Sequence, residues 1–258
     1  PLLILALAVG SLATINTWDY PTYLLLGICS IFLAYYSEHL NHGRLFIGKS
    51  LAGALFLILV SYVVFLPFHL RHVPFNFGIH SSLEQTDIYH YLGVHGLFIF
   101  IVLSYLVYTT QKHLHLHGLT HFKWLGSGFL DRVKSSAKTN WPVRLFIPGS
   151  GALLIYLLVS GYITVALLFL LGITVVSLGI SWIATRDGES PYHLFILHMI
   201  GIAIGLGIIV DLVTVNGDVG RMNTVFKLYI QAWVLFGLAS ATILWHLTTK
   251  PLFSWPNM

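Results

Sequence analysis

Long apolar runs, parted only by short polar turns, constrain this chain more than any motif in it. They cover 1–15, 20–36, 48–68, 92–110, 145–160, 162–184, 193–213 and 223–247. Each is close to the roughly 20 residues an α-helix needs to cross the bilayer core. In hydrocarbon every backbone N–H and C=O must be satisfied within the protein, so such runs become helices or closed barrels. Nothing in the chain shows the ~10-residue alternation of barrel strands. Only 9% of its 258 residues are charged and 57% are hydrophobic, with a mean hydropathy of +0.83. Soluble domains carry about a quarter charged residues. The chain therefore reads as all-α: a polytopic membrane protein of about eight transmembrane helices in one domain, 1–258. Its start at Pro1, inside an apolar run and without a charged leader, reads as the C-terminal part of a longer protein. The fifth and sixth runs are parted only at Ser160-Gly161, and the lone Cys29 excludes an internal disulfide.

Lys and Arg set the orientation of such a chain. With eight spans, Arg44, Lys49, Lys112, Lys123, Arg132, Lys134, Lys138, Arg144, Arg186 and Lys250 fall on one side. Only Arg71, Arg221 and Lys227 fall on the other. The first side is expected to be cytoplasmic, in a cell (plasma) membrane. The 111–144 loop reads as a basic retention loop against anionic headgroups. Asp19, Glu84, Asp87, Asp211 and Asp218 fall on the opposite side, so the polar segments that look chemical meet on the extracytoplasmic face.

The foremost of these is GDVGRMNTVFKLYIQAW (217–233), a glycine-rich turn running into a hydrophobic helix. Polar and charged groups inside a membrane helix are costly and are expected to have partners or a task. Asn223, Lys227 and Gln231 stand at i, i+4 and i+8 and share one helix face. Glycines permit close backbone approach, a helix start offers free N–H groups, and Arg221 and Lys227 add positive charge. Together they predict an anion site suited to a phosphate at the membrane surface. Snorkelling of Lys227 to the interface is the plainer account, but it leaves Asn223 and Gln231 unexplained. Asp211, at the end of an otherwise apolar run, is expected to pair with Arg221 or Lys227.

The first outer turn, NTWDYPTY (16–23), puts Pro21 in the first turn of a helix that Asp19 is suited to cap. Trp18, Tyr20 and Tyr23 suit the headgroup level. In the functional reading Asn16, Trp18 and Asp19 line the outer cavity, joined by Asp218, Asn223, Tyr229 and Gln231. Glu84, Asp87 and His90, at i, i+3 and i+6, are candidate ligands for a divalent cation on a shared helix face. His113, His115, His117 and His121 read instead as a solvated juxtamembrane stretch. No GxxxxGK[ST], GxGxxG, CxxC, HExxH or GxSxG occurs, and the scattered basic residues do not suggest nucleic acid.

The segments 16–23 and 217–233 resemble the YYY membrane protein family, large polytopic proteins of Chloroflexota-like bacteria and archaea related to the GT-C glycosyltransferases. The resemblance covers most of the chain, as that family's C-terminal half; the tyrosine-rich N-terminal region that names the family is absent here. It implies a GT-C-like membrane enzyme with an outward-facing site that uses a polyprenyl-phosphate-linked sugar. Arg221 and Lys227 would then bind the lipid phosphate. GT-C enzymes place their catalytic acid in the first outer loop, near the N-terminus, so that group is expected upstream of this chain. Asp19 is the only candidate for it here, and the catalytic residue is left unassigned. The rival readings are a transporter or flippase for an anionic lipid or solute, and a non-catalytic scaffold subunit.

Overall fold

A computed structural model describes residues 1–38, 45–73, 78–82, 84–116, 141–185, 190–216 and 218–249. Its helices are α1 (Leu2–Ile15), α2 (Asp19–Glu38), α3 (Leu45–Val63), α4 (Leu66–His69), α5 (Ile88–Leu116), α6 (Trp141–Val159), α7 (Ile163–Thr185), α8 (Ser190–Leu212) and α9 (Met222–Thr249). Two short strands, β1 (Ile79–Ser81) and β2 (Val213–Val215), complete the description. Each of the eight apolar runs contains one main helix, and the third also takes in the break at 64–65 and most of α4. Among the described residues six helices are long and apolar enough to cross a membrane: α2, α3, α5, α7, α8 and α9. The first run forms the shorter α1, and the fifth is interrupted by Pro148 inside α6. The chain is thus an all-α polytopic membrane protein. Arg44, Arg186, Gly217, Lys250, His117, His121 and most of the basic loop lie outside the described residues. The helix α5 continues through His113 and His115.

Among the described residues the bundle has two main cores, and a small third cluster of Leu157, Val165 and Ala166 lies between α6 and α7. In the first, α1, α2 and α3 bury Ala6, Val9, Ile31 and Leu57 against one another. The second and larger core unites α5, α7, α8 and α9 around Tyr91, Tyr105, Trp182, Ile200, Leu235 and Phe236. The helix α2 also packs on α8, and α6 packs on α7. Small residues allow the closest helix approaches, as expected where packing rather than water exclusion drives association. A Cβ at Gly10 would lie 2.5 Å from the Ser61 carbonyl oxygen and 2.7 Å from the Phe65 ring. The α1–α3 crossing therefore rests on that glycine.

The strands pair antiparallel, with Ile79 opposite Val215, His80 opposite Thr214 and Ser81 opposite Val213. This ladder lays the segment before α5 across the turn between α8 and α9. Gly78 enters it at φ +103, and a Cβ there would fall on the Asn216 side chain. The ladder fixes which residues of the 78–87 segment meet the end of α8.

Gly10→Ala should force α1 from α3 and cost about 1–3 kcal/mol as an overpacked contact. Thermal unfolding in detergent should show a lowered midpoint, whereas Gly48→Ala, where a Cβ meets nothing within 4 Å, should not lower it.

Candidate functional site

Four connecting segments meet at one end of the bundle: 16–18, 78–87, 160–162 and 213–221. Two of them, through Thr86 and Arg221, converge on the carboxylate of Asp211, 1% exposed, at the last turn of α8. Its Oδ1 accepts from the Thr86 amide (3.0 Å), the Thr86 hydroxyl (2.5 Å) and Arg221 Nη1 (2.6 Å). Arg221 Nη1 also donates to the Val210 carbonyl (3.1 Å), and Nη2 to Thr86 Oγ1 (2.9 Å). Its Nε lies 3.7 Å from Glu84 Oε2 on the exposed side. Tyr229 completes the set, with its hydroxyl 2.8 Å from Thr86 Oγ1. Thr86 has one proton to give and two lone pairs to fill. With that proton on the carboxylate, Tyr229 and Arg221 are both donors to Thr86. From below, the buried Thr164 hydroxyl of α7 donates to the Thr86 carbonyl at 2.6 Å. Thr86 thus ties α5, α7, α8 and α9 together.

This arrangement corrects one expectation. Arg221 does not stand beside Lys227 as a second cation for a phosphate. A buried charge needs a matching one, and Asp211 with Glu84 matches this guanidinium within the protein. The expected pairing of Asp211 is met, with Arg221 as the partner.

The start of α9 brings a second correction. The free N–H groups expected there are taken by Asp218, which reaches forward across the turn. Its Oδ1 accepts from the Asn223 amide (2.9 Å), and its Oδ2 from the Thr224 amide and hydroxyl (both 2.8 Å). Gly220, at φ +62, lets the chain reverse between them. Partial burial opposes the Asp218 charge, but the Thr224 and Asn223 hydrogen bonds outweigh it and hold the carboxyl below its ordinary range. Asp218 is therefore a helix cap.

Asn223, Lys227 and Gln231 lie along one side of α9, but the expectation that all three point inward is met only at the last. Asn223 is exposed, Lys227 half-buried and Gln231 buried. Gln231 Nε2 donates to the carbonyls of Trp18 and Lys227, both at 3.1 Å. The Lys227 ammonium lies over the Trp18 ring, 5.0 Å from its centroid. Among the described residues no carboxylate lies within ion-pair distance of it. The first turn is thus clamped to α9 by an amide and by a cation–π contact. Asn16 ends α1 and accepts from the Trp18 amide at 3.4 Å. Asp19 is the first residue of α2, where the helix dipole favours a carboxylate. Its side chain makes no hydrogen bond among the described residues.

The divalent-cation set is not assembled. The helix α5 begins at Ile88, so Glu84 and Asp87 precede it and share no helix face with His90. Asp87 and His90 approach only to 4.0 Å, both well exposed, while Glu84 turns to Arg221. No group of three His, Cys, Asp or Glu among the described residues is disposed to hold a metal ion.

Residues 1–236 match the model of the uncharacterized membrane protein family DUF2298. The chain belongs to that family. No curated protein and no solved structure matches it. The matched span takes in every residue of the DUF2298 site described above, from the first turn to Gln231. It also takes in both segments on which the family resemblance was read.

Sequence reading missed Thr86 and Thr164, the two hydroxyls that bind the network together. A threonine in a polar stretch carries no distinguishing pattern, and only the β1–β2 register brings Thr86 to Asp211. Beneath the network, the Tyr91 hydroxyl, both ring nitrogens of His95 and Asp211 Oδ2 are buried without hydrogen-bond partners among the described residues. Tyr91 stacks on His95 at 4.5 Å, and Tyr229 meets both rings edge-on. The site therefore combines a neutralised ion pair, a capped helix and one cation that, among the described residues, is matched only by an aromatic face.

Two predictions follow from these contacts. Asp211→Asn and Arg221→Met should each cost about 3–5 kcal/mol, because either leaves a buried charge unpaired. The double variant should cost clearly less than the sum, as a double-mutant cycle on thermal unfolding would show. Asp218→Ala should cost about 1 kcal/mol at neutral pH through loss of the cap. The folded carboxyl titrates below the unfolded value of about 3.9. Its contribution is therefore complete above that value and is lost as pH falls through the folded one. The gap between variant and wild type, followed by thermal unfolding against pH, should close on acidification.

Proposed function

We propose that this chain forms part of a membrane glycosyltransferase that uses a polyprenyl-phosphate-linked sugar at the extracytoplasmic end of its bundle. The observation that carries the reading is Lys227. Its ammonium sits half-buried near the start of an apolar helix, over Trp18 and without a carboxylate partner among the described residues. A cation at the membrane interface with an aromatic neighbour suits the phosphate of a lipid carrier. It would stabilise charge developing on that phosphate as the sugar departs. Arg221 takes part from behind, by fixing the α8–α9 turn. Trp18 borders the cation from the first turn, and Asp19, next to it in the chain, would be the carboxylate that orients an acceptor hydroxyl. The glycosyl transfer itself is supported by the resemblance to proteins related to the GT-C enzymes.

The sidedness is supported by the Lys and Arg distribution, which favours the opposite end as cytoplasmic. A transport path is less well supported. Past Gln231 the buried face of α9 runs Ala232, Leu235, Phe236 and Ala239 before Ser240 and His246, so about two apolar turns part the site from the next buried polar group.

The test is native mass spectrometry of the purified protein with added polyprenyl phosphate, beside sugar transfer in membranes from cells lacking the endogenous protein. Hydrogen bonds to a charged group contribute about 1.5–3 kcal/mol. Lys227→Met should therefore lower lipid retention roughly tenfold or more and abolish transfer, while Lys227→Arg should retain part of both. Equal retention and transfer by a folded Lys227→Met protein would overturn the assignment.

A further inference from the structure

The buried side of the Asp211 network is dry and unpaired. Tyr91 Oη, both ring nitrogens of His95 and Asp211 Oδ2 are shut from solvent and have no hydrogen-bond partner among the described residues. They lie close together. Tyr91 and His95 stand one turn apart on α5 with their rings stacked, and Tyr229 meets both edge-on. Phe236 closes on His95 at 6.0 Å between ring centroids. The Tyr91 hydroxyl rests against Gly207 of α8, where a Cβ would lie 3.2 Å from it, and Gly207 is one turn before Asp211. Orphaned polar atoms gathered in one part of a core are costly, because each gives up water and receives nothing in return.

Residues 84–87 run over these groups into α5, whose Tyr91 amide donates to the Asp87 carbonyl at 3.0 Å. Glu84, Gln85 and Asp87 are exposed, and Thr86 turns inward. Thr86 supplies most of the attachment, through its amide, hydroxyl and carbonyl. Beside it, Gln85 Nε2 reaches the Ser160 carbonyl at 3.5 Å. When the segment lifts, each of these bonds is exchanged for one to water, so its net contribution is smaller than the cost of a buried polar group left unsatisfied. Tyr91, His95 and Asp211 Oδ2 have no bond to lose and gain water. We propose that residues 84–87 are a gate, hinged where α5 begins at Ile88, that opens locally over these groups. Its bonds converge on one residue, so it lifts as a unit while the helices beneath stay packed. Opened, it offers the imidazole of His95, a proton donor and acceptor, beside the Asp211 carboxylate. Gating does not depend on the glycosyl transfer proposed above.

The test is the rate at which diethyl pyrocarbonate modifies single histidines in the purified full chain, read by peptide mapping. His193, as fully buried as His95 but near the other end of α8, reports global opening. In wild type His95 should react at least tenfold faster than His193. In Cys29→Ala protein carrying Gln85→Cys and Ser160→Cys, a short bifunctional thiol reagent should slow His95 at least tenfold against the same protein uncrosslinked. His193 should not change. Thr86→Val, which keeps the shape and loses the hydroxyl, should speed His95 at least tenfold. Tyr91→Phe removes an unpaired hydroxyl and no partner, so it should slow His95 and raise the thermal midpoint. Equal rates at His95 and His193, or none at either, would overturn the gate. So would a His95 rate that the crosslink leaves unchanged. A lowered midpoint in folded Tyr91→Phe would show that the hydroxyl is already satisfied and remove the cause of opening. Should Thr86→Val not fold, the crosslinked pair still decides between these outcomes.

Discussion

The ion pair between Asp211 and Arg221 is the contact on which the polar end of this protein depends. Both groups are nearly withdrawn from solvent, and neither is tolerable there alone. Their pairing closes the α8–α9 turn from within. It also creates the acceptor to which Thr86 binds through both its amide and its hydroxyl. Through Thr86 the same pair reaches Tyr229 on α9 and Thr164 on α7. Four helix ends are thus held by one carboxylate, and the β1–β2 ladder sets the register that makes this arrangement available.

With Arg221 occupied, Lys227 is electrostatically distinct. It stands six residues further along the chain, inside α9, yet its neighbour among the described residues is an indole ring rather than a carboxylate. A cation over an aromatic face keeps its charge available to an incoming anion, which a tight ion pair does not. Gln231, one turn deeper, spends its amide on the backbone of Trp18 and Lys227. It therefore orients the cation–π pair, while its Oε1 is buried without a hydrogen-bond partner among the described residues. The division of labour along α9 runs from cap, through charge, to clamp.

The membrane-spanning part separates packing from opening. Where helices cross closely, glycine is required by a neighbour's backbone, as at Gly10 against Ser61. Where α8 faces the gap between α2 and α7, glycine is required by nothing in the protein, as at Gly205. The same residue type thus marks a contact in one place and a void in the other. Helix periodicity does not distinguish the two.

The amino-acid sequence by itself determined the fold class and the positions of the eight long helices. Apolar runs of this length have few other ways to satisfy their backbone polar groups in a bilayer. It also made the polar turn before α9 conspicuous, because charge beside an apolar helix is expensive and so stands out. What it did not determine is how those charges are shared. Helical spacing put Asn223, Lys227 and Gln231 on one side, but only packing against the first turn decided that Asn223 is exposed and Gln231 buried. Asp218 looked like cavity lining until the turn at Gly220 folded it onto two amides. Glu84, Asp87 and His90 looked like a ligand set until α5 began only after the first two. Thr86 had no distinguishing mark at all. A charge announces itself by its cost wherever it stands in the chain, but its partner is chosen by distance in space. That choice required the β1–β2 register and the docking of α2, α7, α8 and α9.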